Sequence, residues 1–154
     1  MTYQIDQSGK VEQTNKNTVF CLSNDSWDAI LTSAKTKRQL QEIFRRHGQI
    51  RNFVLFTFCA GVSLLIKRNR QVKSVTVDRE YYGKESVIKN IIRSMLDEKS
   101  RIHINFGFVG KQSRAHLLGL AITRRQKKPA KKFKANELLI VIKKTEVGKR
   151  LKDA

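Results

Sequence analysis

The stretch "VKSVTVDREYYGKESVIKNIIRSML", residues 72–96, decides the fold prediction. Its first part is rich in β-branched residues and ends in Asp78 and Glu80, which predicts a strand with two carboxylates at its tip. A turn at Gly83 leads into apolar residues at helical spacing, which predict an amphipathic helix. Two acids at the end of an apolar strand need an explanation in a chain whose formal net charge is +19.

The segments before this stretch predict three strands and two helices. Segments 2–9, 17–25 and 27–33 are predicted to form an antiparallel meander. Ser33 is a plausible N-cap for a helix that Gly48 would end. The apolar segment from Ile50 to Lys67 exceeds the usual length of a strand and favours a buried helix.

The segments after it predict one more strand and one more helix. "RIHINFGFV" (101–109) alternates as a strand does, and "SRAHLLGLAITRR" (113–125) is typical of a helix. The order β-β-β-α-α-β-α-β-α predicts an α/β fold with a mixed five-stranded sheet flanked by helices. We expect one domain over residues 1–125 and a basic C-terminal segment, 126–154, packed in part on the same domain.

The charge of the chain predicts a polyanionic partner. Lys and Arg number 32 against 13 Asp and Glu, and from residue 100 onward there are fifteen basic residues and three acidic ones. Such a field attracts nucleic acid, although a basic surface can also serve solubility alone. "RRQKKPAKKFK" (124–134) contains a single aromatic, Phe133, and therefore favours phosphate contacts over base stacking. The Gly-Lys pair at 9–10, like the others in the chain, lacks the spacing of a P-loop.

The cysteines and the apolar segments favour a cytoplasmic protein without a membrane span. Cys21 and Cys59 lie in apolar runs without metal-binding spacing, as buried free thiols do in a reducing compartment. The apolar segment from Phe53 to Ile66 is short for a membrane span. The N-terminal residues do not have the pattern of a secretory signal.

Three carboxylates are candidates for a metal site. Asp6 lies in the middle of the first predicted strand, where an acid is costly unless something compensates for it. Asp78 and Glu80 would project to the same face if the strand continued through both. A hard ion such as Mg²⁺ would relieve the repulsion between Asp6 and either of these acids. The alternative is that all three are structural acids that pair with the many Lys and Arg.

The element order and the placement of these acids resemble the ribonuclease H-like superfamily. Within it, the chain is most similar to the RuvC-type Holliday-junction resolvases, over roughly residues 1–125. The resemblance rests on the acid and Ser-Gly turn of "IDQSG" (5–9) and on the acid at the end of the fourth strand. It implies that Asp6 and Asp78 bind the metal, with Glu80 as a neighbour that could take over.

The last helix departs from that family, which places a third ligand there, usually Asp and sometimes His. No Asp or Glu occurs between Lys99 and Asn136, and His116 in "KQSRAHLLGLAI" occupies the position. His116 would be a third ligand, a general base, a water-positioning group or a half-buried core residue, or else the site would be degraded. Ser113 and Lys111 would face the same site, or serve as an N-cap and a phosphate contact.

The resulting prediction is a nuclease that depends on Mg²⁺, for which Mn²⁺ could substitute, and that acts on structured nucleic acid, DNA more than RNA. Its catalytic candidates are Asp6, Asp78, Glu80 and His116, with Asp6, Asp78 and His116 as metal ligands. The phosphate-contacting candidates are Lys111, Arg114, Arg124, Arg125, Lys127, Lys128, Lys131, Lys132 and Lys134.

Two further classes of protein stay open. One is a non-catalytic nucleic-acid-binding protein on the same scaffold. The other is a structural RNA-associated protein, which would account for the charge but not for an acid in the middle of a strand. The resemblance to resolvases also implies a homodimer, because two symmetric strands must be cut.

Overall fold

The structure, a computed structural model, describes residues 2–152. Within them it is an α/β fold with a mixed sheet flanked by helices. The strands are β1 (Tyr3–Ser8), β2 (Thr18–Ser23), β3 (Trp27–Thr32), β4 (Ser74–Asp78), β5 (His103–Gly107) and β6 (Lys131–Lys132). The helices are α1 (Ala34–Arg46), α2 (Phe53–Arg68), α3 (Glu85–Met95), α4 (Arg114–Thr123) and α5 (Ala135–Ile142).

The sheet has the strand order β5-β4-β1-β2-β3-β6. β1, β2 and β3 are antiparallel neighbours, which confirms the predicted meander. β4 pairs in parallel with β1, and β5 pairs in parallel with β4, so helices connect the parallel part of the sheet as predicted.

The prediction of five strands was wrong, because the described residues contain a sixth. The basic stretch passes the free edge of β3, where Ala130 N–H donates to Ala29 O at 2.8 Å and Phe133 N–H donates to Leu31 O at 3.0 Å. A strand of two lysines carries no apolar alternation, so the sequence gives no signal for it. Charged residues on an edge strand also discourage pairing with another sheet.

The larger core lies on one face of the sheet, under α1, α2, α3 and α5. α2 crosses β2 closely, and a Cβ at Gly61 would lie 2.3 Å from the ring of Phe20. Gly61 is therefore required by packing, and the predicted buried helix is confirmed. By length and composition Ile50–Arg68 could cross a membrane, but 61% of its most apolar window is buried in the fold, as in the core helix of a soluble protein.

A smaller core lies on the opposite face, where α4 packs over β1, β2 and β3. Ala115, Leu118 and Ile122 of α4 contact apolar residues of β2 and β3. Cys21 is part of this core and Cys59 of the larger one, and both are buried free thiols, as predicted.

The basic C-terminal segment belongs to the same sheet and core. β6 extends the sheet, and α5 packs its buried face against α2 and α1. Phe133, Leu138 and Leu151 join the larger core. The last two residues of the predicted segment, 153 and 154, lie outside the described residues.

Candidate metal centre

Asp6 and Asp78 lie on adjacent parallel strands at the same level of the sheet. Ile5 of β1 is opposite Val77 of β4 in the register, so the next residues along each strand are Asp6 and Asp78. Ile5 and Val77 both face the larger core. Because side chains alternate along a strand, Asp6 and Asp78 both face the opposite side, on which α4 lies.

Glu80 reaches the same place by a turn. β4 ends at Asp78, so the strand does not continue through Glu80 and the condition for aligning the two acids along it is not met. Glu80 N–H instead donates to Asp78 O at 2.9 Å, and this tight turn folds Glu80 back toward the end of the strand. Carboxylate oxygens of Asp6, Asp78 and Glu80 all lie within 4.8 Å of one another, and we call these three residues the acidic cluster.

Backbone N–H groups fix the two strand carboxylates. Asp6 Oδ1 accepts a hydrogen bond from Gln7 N–H at 2.9 Å, and Asp78 Oδ1 accepts one from Val109 N–H at 2.8 Å. Each of these bonds uses one oxygen of its carboxylate. The bond from Val109 N–H orients the Asp78 carboxylate and does not involve its second oxygen. This arrangement suits a metal ligand.

His116 contacts the acidic cluster through Asp6. Its Nδ1 lies 3.0 Å from Asp6 Oδ2, and with a carboxylate as partner the ring N–H donates. Ser113 is the N-cap of α4, since its hydroxyl accepts from His116 N–H at 3.1 Å. The three residues placed to bind one ion are thus Asp6, Asp78 and Glu80. His116 contacts the Asp6 carboxylate and is not one of these three residues.

Gly119 sets the depth at which α4 sits on the sheet. A Cβ at this position would lie 3.0 Å from Ser8 Cβ and 3.4 Å from Cys21 Sγ. Thr123 Oγ1 and Ser8 Oγ are hydrogen-bonded at 2.7 Å one turn further along. The small residue lets the helix approach the strands closely enough for His116 to reach Asp6.

The protonation of the cluster reflects burial of its carboxyl groups and, to a smaller extent, crowding of negative charge. Burial raises the pKa of Glu80 to about 7, together with a hydrogen bond to Asp78 and the charges of Asp78 and Asp6, while Lys10 opposes the shift. Burial also raises the pKa of Asp6, and the hydrogen bond from His116 offsets part of this effect. Without a cation, the Glu80 carboxyl is therefore partly protonated near neutral pH and can donate to Asp78.

The three carboxylates fit a hard divalent cation. Mg²⁺ and Mn²⁺ prefer oxygen ligands, and one ion can be bridged by oxygens at this separation. Burial is the largest cause of the raised pKa values of Glu80 and Asp6, and the neighbouring carboxylate charges, which a bound cation would offset, add to it. These residues therefore satisfy the donor chemistry that such an ion requires.

An open face of the sheet leads to the cluster. Thr76, His103 and Asn105 alternate with core residues of β4 and β5 and point to the same side as Asp78. α4 packs over β1–β3, and His103 and Asn105 are exposed. We call Thr76, His103 and Asn105, which lie beside the carboxylates, the open shelf.

Two contributors to the site were missed from the sequence. Lys10 lies close enough to act on the Glu80 carboxyl, and its only sequence signal is that it directly follows the "DQSG" turn. Tyr81 donates to Glu12 Oε1 at 3.2 Å, accepts from Gln7 Nε2 at 3.3 Å and packs edge-on against Phe58. These contacts anchor the turn that carries Glu80.

The predicted phosphate-contacting residues are all exposed, but several already have protein partners. Lys131 Nζ pairs with Glu137 at 3.0 Å, and Lys127 Nζ lies 4.1 Å from the centre of the Trp27 ring. Arg114 donates to Asn24 O at 3.0 Å. The other exposed members of the predicted set are Lys111, Arg124, Arg125, Lys128, Lys132 and Lys134. Glu42 of α1 pairs with Arg45 of the same helix at 2.7 Å.

Comparison with known proteins adds no assignment: no protein-family model, no curated protein and no solved structure matches the chain.

Proposed function

We propose that this protein is a metal-dependent endonuclease that hydrolyses phosphodiester bonds of structured nucleic acid. One observation carries the proposal: Asp6, Asp78 and Glu80 bring their oxygens within 4.8 Å of one another on a chain with formal net charge +19. Gathering acids at a half-buried site is costly unless a cation or hydrogen-bond donors compensate for their charge. The basic residues of the chain would attract the polyanionic substrate.

A ribonuclease H-like fold of the RuvC type is the finer structural proposal. It is supported by the antiparallel meander, by the parallel strand β4 beside β1, and by acids on these two adjacent strands. In this assignment Asp6 and Asp78 are the ligands from the first and fourth strands. Glu80 supplies the third carboxylate, and His116 takes the position of the last-helix ligand.

The chain's residues would divide the work as follows. Asp6, Asp78 and Glu80 would hold Mg²⁺ or Mn²⁺, and the ion would supply Lewis-acid activation of water and of the scissile phosphate. Val109 N–H and His116 orient two of the carboxylates by direct hydrogen bonds. Lys10 is placed to attract a phosphate beside Glu80, because its charge already acts on that carboxyl.

His116 is best assigned as a positioning residue. Its Nδ1 is committed to Asp6 at 3.0 Å, which fixes the ring and leaves Nε2 directed elsewhere. A histidine that donates to a metal-binding carboxylate holds that ligand in place and tunes its charge. The role of direct metal ligand would require the Asp6 contact to break or the second ring nitrogen to bind.

The substrate proposal is nucleic acid recognised by shape, with DNA favoured over RNA. The open shelf is polar and lies next to Asp78, and the exposed aromatics Tyr82 and Phe108 follow β4 and β5 at the same end of the sheet. Phosphate contacts and two aromatic side chains can hold a strand without reading its sequence.

A non-catalytic nucleic-acid-binding protein is the second candidate. It is favoured by the hydrogen bonds of Asp6, one from His116 and one from Gln7 N–H, which stabilise a buried acid without an ion. In this case the acidic cluster would be structural.

A cleavage assay separates the two candidates. Labelled four-way junction, duplex DNA and RNA–DNA hybrid are incubated with the protein in Mg²⁺, in Mn²⁺ and in EDTA. Cutting that requires the metal supports the nuclease, and the preferred substrate names its class. Salt-sensitive binding without cutting under any of these conditions supports the binding protein.

A further inference from the structure

A basic groove lies at the end of the sheet opposite the acidic cluster. Residues that immediately precede β4 and β5 line it, together with the end of α2 and the segment after α3, and its volume is about 890 Å³. Because β4 and β5 are parallel, these amino ends are about 16 Å, one five-residue strand, from Asp78. We call this feature the amino-end groove.

The lining of the groove combines apolar walls with excess positive charge. Ile66, Val72, Leu96 and Ile102 form the apolar part, and each is almost fully buried. The charged lining residues are Lys67, Arg70, Lys73, Lys99, Arg101 and a single acid, Asp97. A pocket with an apolar floor and a few convergent charges of one sign is the usual form of a ligand site.

Two lysines from distant parts of the chain meet at this groove. Lys67, in the last turn of α2, lines the groove, and Lys144, which follows α5, lies beside the lining residue Asp97. Burial lowers the pKa of Lys67 to about 8, and the contact with Lys144 and the charge of Arg70 act in the same direction. The fold therefore holds like charges together at a cost.

Within residues 2–152, the carboxylate beside these lysines is that of Asp97, and it offsets their charge only in part. Asp97 Oδ1 is 3.9 Å from Lys144 Nζ, and its side chain is 70% exposed, so solvent screens the pair. Lys67, Lys144 and Arg70 set against Asp97 leave a local excess of two positive charges. An anion with several oxygens would satisfy both ammonium groups at once.

We propose that the amino-end groove is a phosphate-binding site in which Lys67 and Lys144 hold one phosphate group between them. The ligand class is a phosphate ester or diphosphate, supplied either by a free small molecule or by a nucleic-acid backbone. The site does not depend on the proposed nuclease activity, because its residues and the acidic cluster lie at opposite ends of β4.

The test is calorimetric titration of the full chain in EDTA, with pyrophosphate and, separately, with a six-nucleotide single strand. The variants are Lys67→Gln and Lys144→Gln. Lys35→Gln is the matched control, because Lys35 is exposed in the first turn of α1, which follows the end of β3 at the other edge of the fold. Asp78→Asn is added to separate this site from the acidic cluster.

We expect pyrophosphate to bind the wild type, Lys35→Gln and Asp78→Asn alike, and to bind Lys67→Gln and Lys144→Gln about tenfold or more weakly. Displacement of pyrophosphate by the oligonucleotide would assign the phosphate to a nucleic-acid backbone, and no displacement would assign it to a free small molecule. Equal binding by Lys67→Gln, Lys144→Gln and Lys35→Gln, or no binding by the wild type, would overturn the proposal.

Discussion

His116 Nδ1 lies 3.0 Å from Asp6 Oδ2, and this contact joins α4 to β1 across 110 residues of sequence. Asp6 is 6% exposed, so its carboxylate depends on the few donors that reach it. His116 is one of these donors, and Gln7 N–H is the other. His116 of α4 therefore helps to orient the Asp6 carboxylate of β1.

Replacement of His116 by Ala should weaken metal binding and cleavage more than folding. Loss of the partner of a metal-binding carboxylate typically costs about 10–100-fold in metal affinity or activity. Metal titration and single-turnover cleavage measure the effect, with thermal unfolding as the check on the fold. Leu117→Ala is the matched control, because Leu117 is the next residue on α4 and is half-exposed. Wild-type metal affinity and cleavage in His116→Ala would make His116 a packing residue.

The apoprotein should lose stability as pH rises from about 5 to 7. Glu80 has a pKa near 7 in the fold against an ordinary value of 4.5, so the folded state retains a proton that the unfolded state releases. Stability from this group is complete below pH 4.5 and is lost through pH 7. After allowance for solvent screening, we expect an effect on the order of 1–2 kcal/mol.

Urea unfolding in EDTA between pH 5 and 8 measures that change. Glu80→Gln should show a shallower decline than the wild type, and Mg²⁺ should stabilise the wild type most at the higher pH. Glu146→Gln, which alters an exposed acid outside the cluster, should keep the wild-type profile. Identical profiles for Glu80→Gln and the wild type would contradict the raised pKa of Glu80.

Gly119→Val should separate α4 from the sheet. A Cβ added at Gly119 would lie 3.0 Å from Ser8 Cβ, and the branched side chain of valine would add further atoms there. Overpacking of this kind costs about 1–3 kcal/mol of folding free energy. Cleavage should fall as well, because His116 would be withdrawn from Asp6. Gly110→Val provides the comparison, since a Cβ at Gly110 meets only Phe108 at 3.8 Å; equal thermal stability of the two variants would refute the packing argument.

Lys37→Met should destabilise the loop before β2. Lys37 is fully buried and its ammonium donates to Lys10 O, Gln13 O and Thr18 Oγ1 at 3.1, 2.7 and 2.9 Å. Methionine preserves the shape and leaves the two carbonyls without this donor, at about 1–3 kcal/mol. Chemical denaturation checks the value against Lys35→Met, an exposed neighbour on the same helix. A difference below about 0.5 kcal/mol between the two variants would show that the loop has other support.

The sequence predicts most elements because their signals are local. The caps at Ser33 and Ser113, the stop at Gly48 and the stripe of α3 all come from residues within one or two turns of each other. The adjacency of Asp6 and Asp78 was also predictable, because it follows from the element order and the period of a strand.

Three features could not be predicted because long-range contacts create them. Glu80 joins the cluster through a turn after β4. The period of a strand predicts the same proximity, but only for a strand that continues through Glu80. β6 forms because the edge of β3 offers backbone partners to a charged segment. The meeting of Lys67 with Lys144 depends on the packing of α5 against α2, which no local pattern encodes.

The most direct test of the metal-centre account is single-turnover cleavage by Asp6→Asn and Asp78→Asn on the substrate that the wild type cuts best. Each variant keeps the shape of the side chain and removes one charge, and Glu146→Gln makes a comparable change at an exposed position. The account predicts that Mg²⁺-dependent cutting falls by at least about 100-fold in both cluster variants, while their nucleic-acid binding stays at the wild-type level. Glu146→Gln should cut at the wild-type rate. Cutting at the wild-type rate in Asp6→Asn and Asp78→Asn would contradict it.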